Sequence, residues 1–250
     1  MTSSGAVRST RGQSAEGYRT CVIHAVLDVT PRVRRLILRG SAIPSFATPT
    51  GALGPYLKLR LTDDEGAIRL RTYSIRYLDA QRSEMHVDVV RHAGDSLGGT
   101  FVEFARAGTE VSLAGPGFIH TGPCGAYLLA GDHTALPAIA HILASLPVGP
   151  AVHAILEVPD AAEQQPFRVP SGARVTWLHR ADHEPSRLAE TVCRACQPDG
   201  DELFVWAGAE AAIARAIRRH ARSCGIPAAR CQVLNYWKRG QPEGAFSYVA

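Results

Sequence analysis

The sequence predicts a two-domain protein, with a six-stranded antiparallel β-barrel followed by an α/β domain that contains an open, mainly parallel sheet. Its 250 residues are enough for two modest domains that each bury a core. Up to about residue 120, short strand-like runs alternate with turns, as in a small barrel. Beyond residue 125, strand-like and helix-like runs alternate, as in a parallel sheet covered by helices.

The barrel domain is expected to span residues 18–120, after a disordered lead-in at residues 1–17 that is rich in Ser, Gly and Arg. Short apolar runs bounded by turn residues predict six strands. The expected strands cover residues 22–29, 32–38, 56–61, 68–77, 85–90 and 110–114.

Small residues precede a helix-like run at residues 101–106. They are Gly94, Gly98, Gly99 and Thr100. Such residues let backbone N–H groups approach an anion closely, so this segment is a candidate phosphate cradle. Taken alone, these residues favour a plain turn and helix cap.

The α/β domain is expected to span residues 125–240, with a tail at residues 241–250. Its expected strands cover residues 127–130, 152–158, 175–178 and 203–206, with a last strand-like piece before residue 240. The expected helices cover residues 135–146, 186–196 and 211–224.

The first strand of this domain leads into a helix start. If Thr134 is the N-cap, Pro137 occupies the third helical position, where its missing N–H could not have been bonded within the helix. The free N–H groups and the helix dipole make such a start a site for a nucleotide phosphate.

Residues 71–76, with the sequence R-T-Y-S-I-R, lie in a predicted strand. Strand alternation places Arg71, Tyr73 and Ile75 on one face and Thr72, Ser74 and Arg76 on the other. A flavin dinucleotide needs a flat ring against its isoalloxazine, short donors at its polar edge and a guanidinium for its pyrophosphate. The alternative is an ordinary strand with a packed tyrosine and solvated arginines.

Five motifs occur in a fixed order along the chain. They are R-x-Y-S-x-R at 71–76, G-D-x-T-A-L-P at 131–137, E-V-P-D at 157–160, W-L-H-R at 177–180 and Y-W-K-R-G at 236–240. With these motifs, the chain from about residue 22 to residue 240 resembles the siderophore-interacting protein family. That family comprises flavin-dependent ferric-siderophore reductases related to ferredoxin-NADP reductases.

The resemblance implies that the barrel binds FAD, which passes electrons to a ferric siderophore so that Fe(II) is released in the cytoplasm. Tyr73 would pack on the flavin ring and Ser74 would hydrogen-bond its reactive nitrogen, which makes them the implied catalytic pair. The implied FAD-binding residues are Arg71, Thr72, Tyr73, Ser74, Arg76, His92, Gly98, Gly99, Thr100, Asp132, Thr134, Ala135, Tyr236 and Trp237.

A nicotinamide nucleotide, NADPH or NADH, is implied as the electron donor, with ferredoxin as a further possibility. The chain lacks the G-x-G-x-x-G fingerprint, so this expectation rests on the resemblance alone. The implied nicotinamide-binding residues are Gly131, Pro137, Arg180, Gly208 and Glu210.

Only two of the 27 basic residues are lysines, Lys58 at the end of an expected strand and Lys238 in the last motif. Similar family members carry cations near both places, so Lys58, Lys238 and Arg239 are the implied contacts to an anionic siderophore. A compact ammonium suits such a chelate, although both lysines could simply be solvated. The family often has an arginine after its barrel-closing Gly-Pro, but Gly117 stands there in this chain.

Composition disfavours other function classes. The net charge of +4 is too small to favour a nucleic-acid binder, and no apolar run approaches the ~18–20 residues of a membrane span. A cytoplasmic monomer is expected. Two alternatives to the reductase stay open: a flavin reductase that feeds another protein, and a protein that binds ferric siderophore without turnover.

No metal site is expected. Cys193 and Cys196 have C-x-x-C spacing, but they lie in a helix-like stretch. His179 and His183 are four residues apart, yet the sequence shows no third ligand for them.

Overall fold

The computed structural model describes residues 17–91, 96–121, 124–196 and 202–241. Within these ranges, the chain forms the two expected domains, a closed six-stranded barrel and a five-stranded sheet. The expected lead-in and tail fall outside the described residues, apart from residues 17 and 241.

The barrel consists of antiparallel strands in the spatial order β1-β2-β5-β4-β3-β6. All six expected strands are confirmed. They are β1 Arg19–Thr30, β2 Val33–Arg39, β3 Ala52–Thr62, β4 Ile68–Asp79, β5 Glu84–Val90 and β6 Glu110–His120. Inside the barrel, Leu57 and Leu59 of β3 are buried, whereas Lys58 between them points outward, as the period of two requires.

Strands β3 and β6 are longer than the sequence predicts, although each contains a proline. Pro55 and Pro116 cannot donate ladder hydrogen bonds, and the register between the two strands shifts on both sides of Tyr56. The shifts let pairing continue past both prolines. The extension of β3 carries Leu53 into the hydrophobic core of the second domain.

The second domain is a parallel sheet in the order β11-β10-β7-β8-β9. Its strands are β7 Ala126–Asp132, β8 Ala151–Val158, β9 Arg174–His179, β10 Leu203–Glu210 and β11 Cys231–Trp237. Helix α2 (Leu136–Ser145) covers one face, and α3 (Leu188–Ala195) and α4 (Ala211–Ser223) cover the other. Burial on both faces explains the nearly continuous apolar run in β7.

The starts of two helices differ from the prediction. Asp132, rather than Thr134, is the cap after β7, and a short 3-10 turn precedes α2, so Pro137 lies in the first turn of α2. A carboxylate is a stronger acceptor than a hydroxyl, which explains the choice of cap. The barrel helix α1 spans Leu97–Phe104 rather than 101–106, so Gly98, Gly99 and Thr100 form its first turn.

Helix α2 connects the two domains. It packs against β3 and β4, and the ring of His141 hydrogen-bonds to the backbone of Ile75 and Arg76. Burial, together with the charge of Arg76, lowers the pKa of His141 to about 4. This histidine is therefore neutral at physiological pH. It lies in the contact region between the barrel and the second domain, which is called the seam below.

A second contact across the seam is made by Glu163, whose side chain is buried. Its carboxylate accepts hydrogen bonds from the Thr30 hydroxyl at 2.6 Å and from the backbone N–H of Arg32 at 2.9 Å. His133 Nε2 lies 3.0 Å from the same carboxylate, and burial lowers the pKa of His133. Arg32 also pairs with Asp182 at 2.8 Å, so the β1–β2 turn is held to the second domain.

The lowered pKa of His141 predicts a pH dependence of stability. The unfolded chain takes up a proton near pH 6.5, whereas the folded chain does not until about pH 4, so the unfolding free energy falls as pH falls through this window. Between pH 7 and 5, His141→Gln is expected to remove about 2 kcal/mol of that pH dependence. Unfolding midpoints measured from pH 7 to 5 test this, and exposed His24→Gln is the control. An unchanged slope in His141→Gln would contradict the assignment.

Candidate functional site

The six-residue motif on β4 lies at the seam between the domains. Ser74 is 8% exposed, and its hydroxyl lies 3.2 Å from the hydroxyl of Tyr236, which comes from the end of β11. The ring of Tyr236 lies against Gly208 and meets Trp206 edge-on. Burial raises the pKa of Tyr236 to about 12, so its phenol keeps its proton. The structure therefore brings one residue of each domain into direct contact at this point.

Tyr73 points to the opposite side of β4. Its ring packs against the barrel core, and its hydroxyl lies beside Gly98 in the first turn of α1. A Cβ atom at Gly98 would be 2.8 Å from that hydroxyl, so glycine is what lets the hydroxyl come this close to the helix. Ser96 caps α1 by accepting a hydrogen bond from Gly99 N–H. A tyrosine hydroxyl beside a helix start is a suitable contact for a phosphate.

The arginines of the motif have separate surroundings. Arg71 is half-buried, and its guanidinium donates to the carbonyl of Leu70 at 3.0 Å. Arg76 lies 3.8 Å from Asp88, which Arg35 binds through both carboxylate oxygens. Burial lowers the pKa of Arg76. Arg71 thus shares its face with Tyr73, and Arg76 lies near His141 at the seam.

Asp132 lies at the same edge, but its carboxylate is already engaged. One oxygen accepts from the N–H and hydroxyl of Thr134, and the other accepts from the N–H of Glu210 and the indole of Trp237. All four distances lie between 2.6 and 3.0 Å. In this structure, Asp132, Thr134 and Trp237 hold the edge of the sheet together.

The residues predicted to bind nicotinamide lie at the carboxyl ends of the strands. Several of them also pack against neighbouring residues or cap a helix. A Cβ atom at Gly131 would be 2.6 Å from Ala135, and one at Gly208 would be 2.7 Å from Tyr236. Glu210 caps α4 by accepting from Ala212 N–H. Pro137 is buried in the first turn of α2.

Arg180 follows β9 and has a buried partner. Its Nε lies 3.1 Å from the carboxylate of Glu157, which is 2% exposed. The Arg187 backbone N–H donates to the same carboxylate at 2.9 Å. A role for Arg180 in binding a nucleotide phosphate stays a prediction.

The predicted substrate cations flank the Ser74–Tyr236 contact. Lys58 lies in the middle of β3, which corrects the expectation that it ends the strand, and it is opposite Thr72 in the register. Tyr56, two residues earlier on the same face, is opposite Ser74. Lys238 follows Tyr236 by two residues, and the next backbone N–H, that of Arg239, donates to Glu210 at 3.3 Å.

The glycine at position 117 has a structural explanation. The ring of Tyr56 occupies the space where a Cβ atom at Gly117 would lie. Any side chain there would displace Tyr56 from its place beside Ser74. The tyrosine on the neighbouring strand therefore accounts for glycine at position 117.

Sequence reasoning missed some residues of this region. Tyr56, Trp206, His141 and Glu163 all line the seam, and each lies in an ordinary apolar or capping pattern that gives no functional signal. The register of Tyr56 opposite Ser74 could have identified it only once the pairing of β3 with β4 was known. His92 and Gly94, two predicted site residues, lie outside the described residues.

Comparisons with known proteins agree with this arrangement. The sequence profile of the siderophore-interacting FAD-binding domain matches residues 62–120, and that of the siderophore-interacting protein matches residues 125–240. The ferric vibriobactin reductase ViuB of Vibrio cholerae is 31% identical, over 70% of this chain and 67% of its own length. The chain belongs to the siderophore-interacting protein family.

Two further relatives extend the comparison. A solved siderophore utilization protein from T. fusca has a TM-score of 0.80 and 30% identity, covering 93% of this chain and 96% of its own. An NADPH-dependent ferric-chelate reductase of Escherichia coli is 28% identical, over 67% of this chain and 65% of its own length. Within the described ranges, none of the helices combines the length and apolar character needed to cross a membrane.

The residues of this family member fit an FAD dinucleotide. The FAD-binding profile contains both the β4 motif and α1. The Tyr73 hydroxyl lies at the start of α1, and Arg71 on the same face supplies a positive charge, a combination that suits a phosphate. Ser74, on the other face, offers a hydroxyl at the seam. Parts suited to the two ends of the cofactor thus lie on two faces of one strand.

The close approach of the Tyr73 hydroxyl to Gly98 predicts the effect of Gly98→Ala. Alanine normally stabilises a helix by up to about 1 kcal/mol relative to glycine, but here its Cβ would crowd the Tyr73 hydroxyl. We expect a lower thermal unfolding midpoint and an FAD affinity reduced about tenfold, which corresponds to about 1.4 kcal/mol.

A Tyr73→Phe background separates the two effects of this substitution. It removes the crowded oxygen, so Gly98→Ala is then expected to raise the unfolding midpoint. Phe104→Ala, on the exposed end of α1, is the control. The same change in both backgrounds would show that Tyr73 does not contact Gly98.

Proposed function

We propose that this chain is an FAD-dependent ferric-siderophore reductase. NADPH or NADH is the proposed donor, ferredoxin is the alternative donor, and Fe(II) is released in the cytoplasm by the monomer. The observation that carries the proposal is the contact between Ser74 of the FAD-binding domain and Tyr236 of the second domain. Among the contacts between the two matched domains of the family, it is the one where a redox cofactor held by one domain could meet a donor held by the other.

Bound FAD would supply the chemistry that accepts a hydride from the nucleotide and delivers single electrons to iron. The chain's residues would position this cofactor. Arg71 and the first turn of α1 would hold its phosphates. Because the ring of Tyr73 packs against the barrel core, Tyr73 would contact the phosphates through its hydroxyl instead of packing on the flavin ring as the sequence suggests. Ser74 would donate a hydrogen bond to the polar edge of the ring system.

The carboxyl edge of the parallel sheet is the proposed nucleotide site, as in other open α/β sheets. Asp132 keeps that edge in place, and Tyr236 closes it against Ser74. Donation by NADPH rather than NADH is supported by the relative in Escherichia coli, whose name states that dependence. Arg180 at the end of β9 would contact an adenosine phosphate after exchanging its partner Glu157.

The ferric siderophore is proposed to bind beside the same contact. Lys58 and Lys238 each lie two residues from a tyrosine of this region, and Arg239 follows. A siderophore binds Fe(III) with hard, anionic oxygen ligands, which suit Fe(II) less well, so reduction favours release of the metal. The lysines would hold the chelate by charge, without the fixed geometry of an arginine fork.

A stepwise anaerobic experiment tests the reductase proposal. We expect purified protein reconstituted with FAD to be bleached by NADPH or NADH, and to be reoxidised by a ferric hydroxamate or catecholate while a ferrous chelator traps Fe(II). Reduction of the flavin without trapped Fe(II) would favour a flavin reductase that serves another protein. Chelate binding without nucleotide oxidation would favour a binding protein, and failure to bind FAD would contradict the proposal.

Ser74→Ala is expected to slow flavin reduction while FAD stays bound. Loss of one hydrogen bond at the reacting ring corresponds to about 1.4 kcal/mol, or about tenfold in rate. Stopped-flow absorbance under anaerobic conditions measures the rate, and the flavin content of the purified variant measures binding. Ser45→Ala, which removes an exposed hydroxyl bonded to the Ala42 carbonyl, is the control. A Ser74→Ala enzyme with the full rate would show that the hydroxyl has no role in reduction.

A further inference from the structure

Three metal-ligating side chains converge on the second domain, away from the seam. They are Cys196 after α3, and His220 and Cys224 at the end of α4. Their sulfur and nitrogen ligand atoms all lie within 4.8 Å of one another. Cys224 Sγ lies 3.3 Å from His220 Nε2, and Cys196 is 3% exposed. The sequence around Cys193 and Cys196 shows no further metal ligand. His220 and Cys224 are distant in the chain, and only the fold brings them to Cys196.

The local structure explains why these side chains meet. His220 and Cys224 are four residues apart, so they lie on one face of the last turn of α4. Helix α3 packs against α4, which brings the end of α3 and Cys196 to that face. Burial raises the pKa of Cys196, and the neighbouring thiols of Cys224, Cys193 and Cys231 raise it further. Two cysteines besides the three ligands, Cys193 and Cys231, therefore lie close to the cluster.

This cluster lies at the amino edge of the parallel sheet. Helices α3 and α4 end there, and β11 begins there at Cys231. Nucleotides bind open α/β sheets at the opposite, carboxyl edge. A ligand at the cluster would therefore not touch Ser74, Tyr236 or the proposed cofactors.

We propose that Cys196, His220 and Cys224 form a structural Zn²⁺ site that joins the end of α3 to the end of α4. Thiolate and imidazole are the donors that Zn²⁺ prefers, and tetrahedral Zn–S and Zn–N bonds of about 2.0–2.3 Å place ligand atoms about 3.5–3.8 Å apart. Small side-chain rotations reach that geometry from the observed 4.8 Å limit.

The charge of the complex fits its surroundings. Zn²⁺ with two thiolates and one neutral imidazole has no net charge, so its partial burial carries little electrostatic penalty. Each thiol loses a proton when it binds, and the proton goes to solvent. A water completes the tetrahedron, which leaves the complex uncharged.

Metal analysis of the full chain, purified without chelator from zinc-supplemented medium, tests the site. We expect one Zn²⁺ per chain, and we expect Cd²⁺ added to the metal-free protein to give a thiolate-to-metal charge-transfer absorbance. Zn²⁺ at 100 times its dissociation constant should raise the thermal unfolding midpoint by about 5–10 °C.

Two variants make this test specific. Cys224→Ser and His220→Gln should each lose the stoichiometric zinc and the thermal shift, while Cys124→Ser, a cysteine outside the cluster, keeps both. Near-UV circular dichroism shows whether each variant is folded, and FAD binding should be unchanged in both.

Two results would overturn the proposal. One is zinc-supplemented protein that contains no metal and gives no Cd²⁺ absorbance. The other is a Cys196–Cys224 disulfide found by mass spectrometry in the protein as purified, because that bond would consume both thiols. Neither result depends on whether the chain reduces ferric siderophores.

Discussion

The carboxylate of Asp132 is the interaction on which the functional edge of the sheet depends. It is 4% exposed and accepts hydrogen bonds from Thr134, Glu210 and Trp237. These three residues belong to the start of α2, the junction of β10 with α4, and the end of β11. Without the carboxylate, these partly buried donors would lose their shared partner, which costs more than the net value of one hydrogen bond. A single short side chain thus holds three chain segments where Tyr236 meets Ser74.

The two edges of the second domain have opposite chemistry. The carboxyl edge carries hydroxyls, backbone N–H groups and cations, which suit phosphates and an anionic oxygen chelate. The amino edge carries the cysteines and His220, which are softer donors. Because the sheet lies between them, the thiols are kept away from the ferric substrate of the proposed reaction. This separation of the two kinds of ligand follows from the parallel direction of the strands, which places all their carboxyl ends at one edge and all their amino ends at the other.

Much of the fold could be predicted from the sequence, because the period of two in the barrel and the alternation of strand and helix are local signals. All six barrel strands were predicted, and Ser74 and Tyr236, which the structure brings into contact, were both predicted to be site residues. The cap at Asp132 was missed because Thr134 is also a good capping residue, and only the geometry distinguishes them. The roles of Tyr56 and His141, and the meeting of Cys196 with Cys224, depend on register and on helix packing, which a single sequence does not encode locally.

Helix α2 begins just after Asp132 and reaches β4 through His141, five residues into the helix. At 1.5 Å per residue, His141 lies about 7.5 Å along the helix axis from the start of α2. The helix therefore fixes the spacing between the sheet edge proposed to bind the nucleotide and the strand that carries Ser74. The two domains cannot separate here without breaking the hydrogen bonds of His141. In the proposed reaction, the packing of this helix would hold the distance for electron transfer across the seam constant.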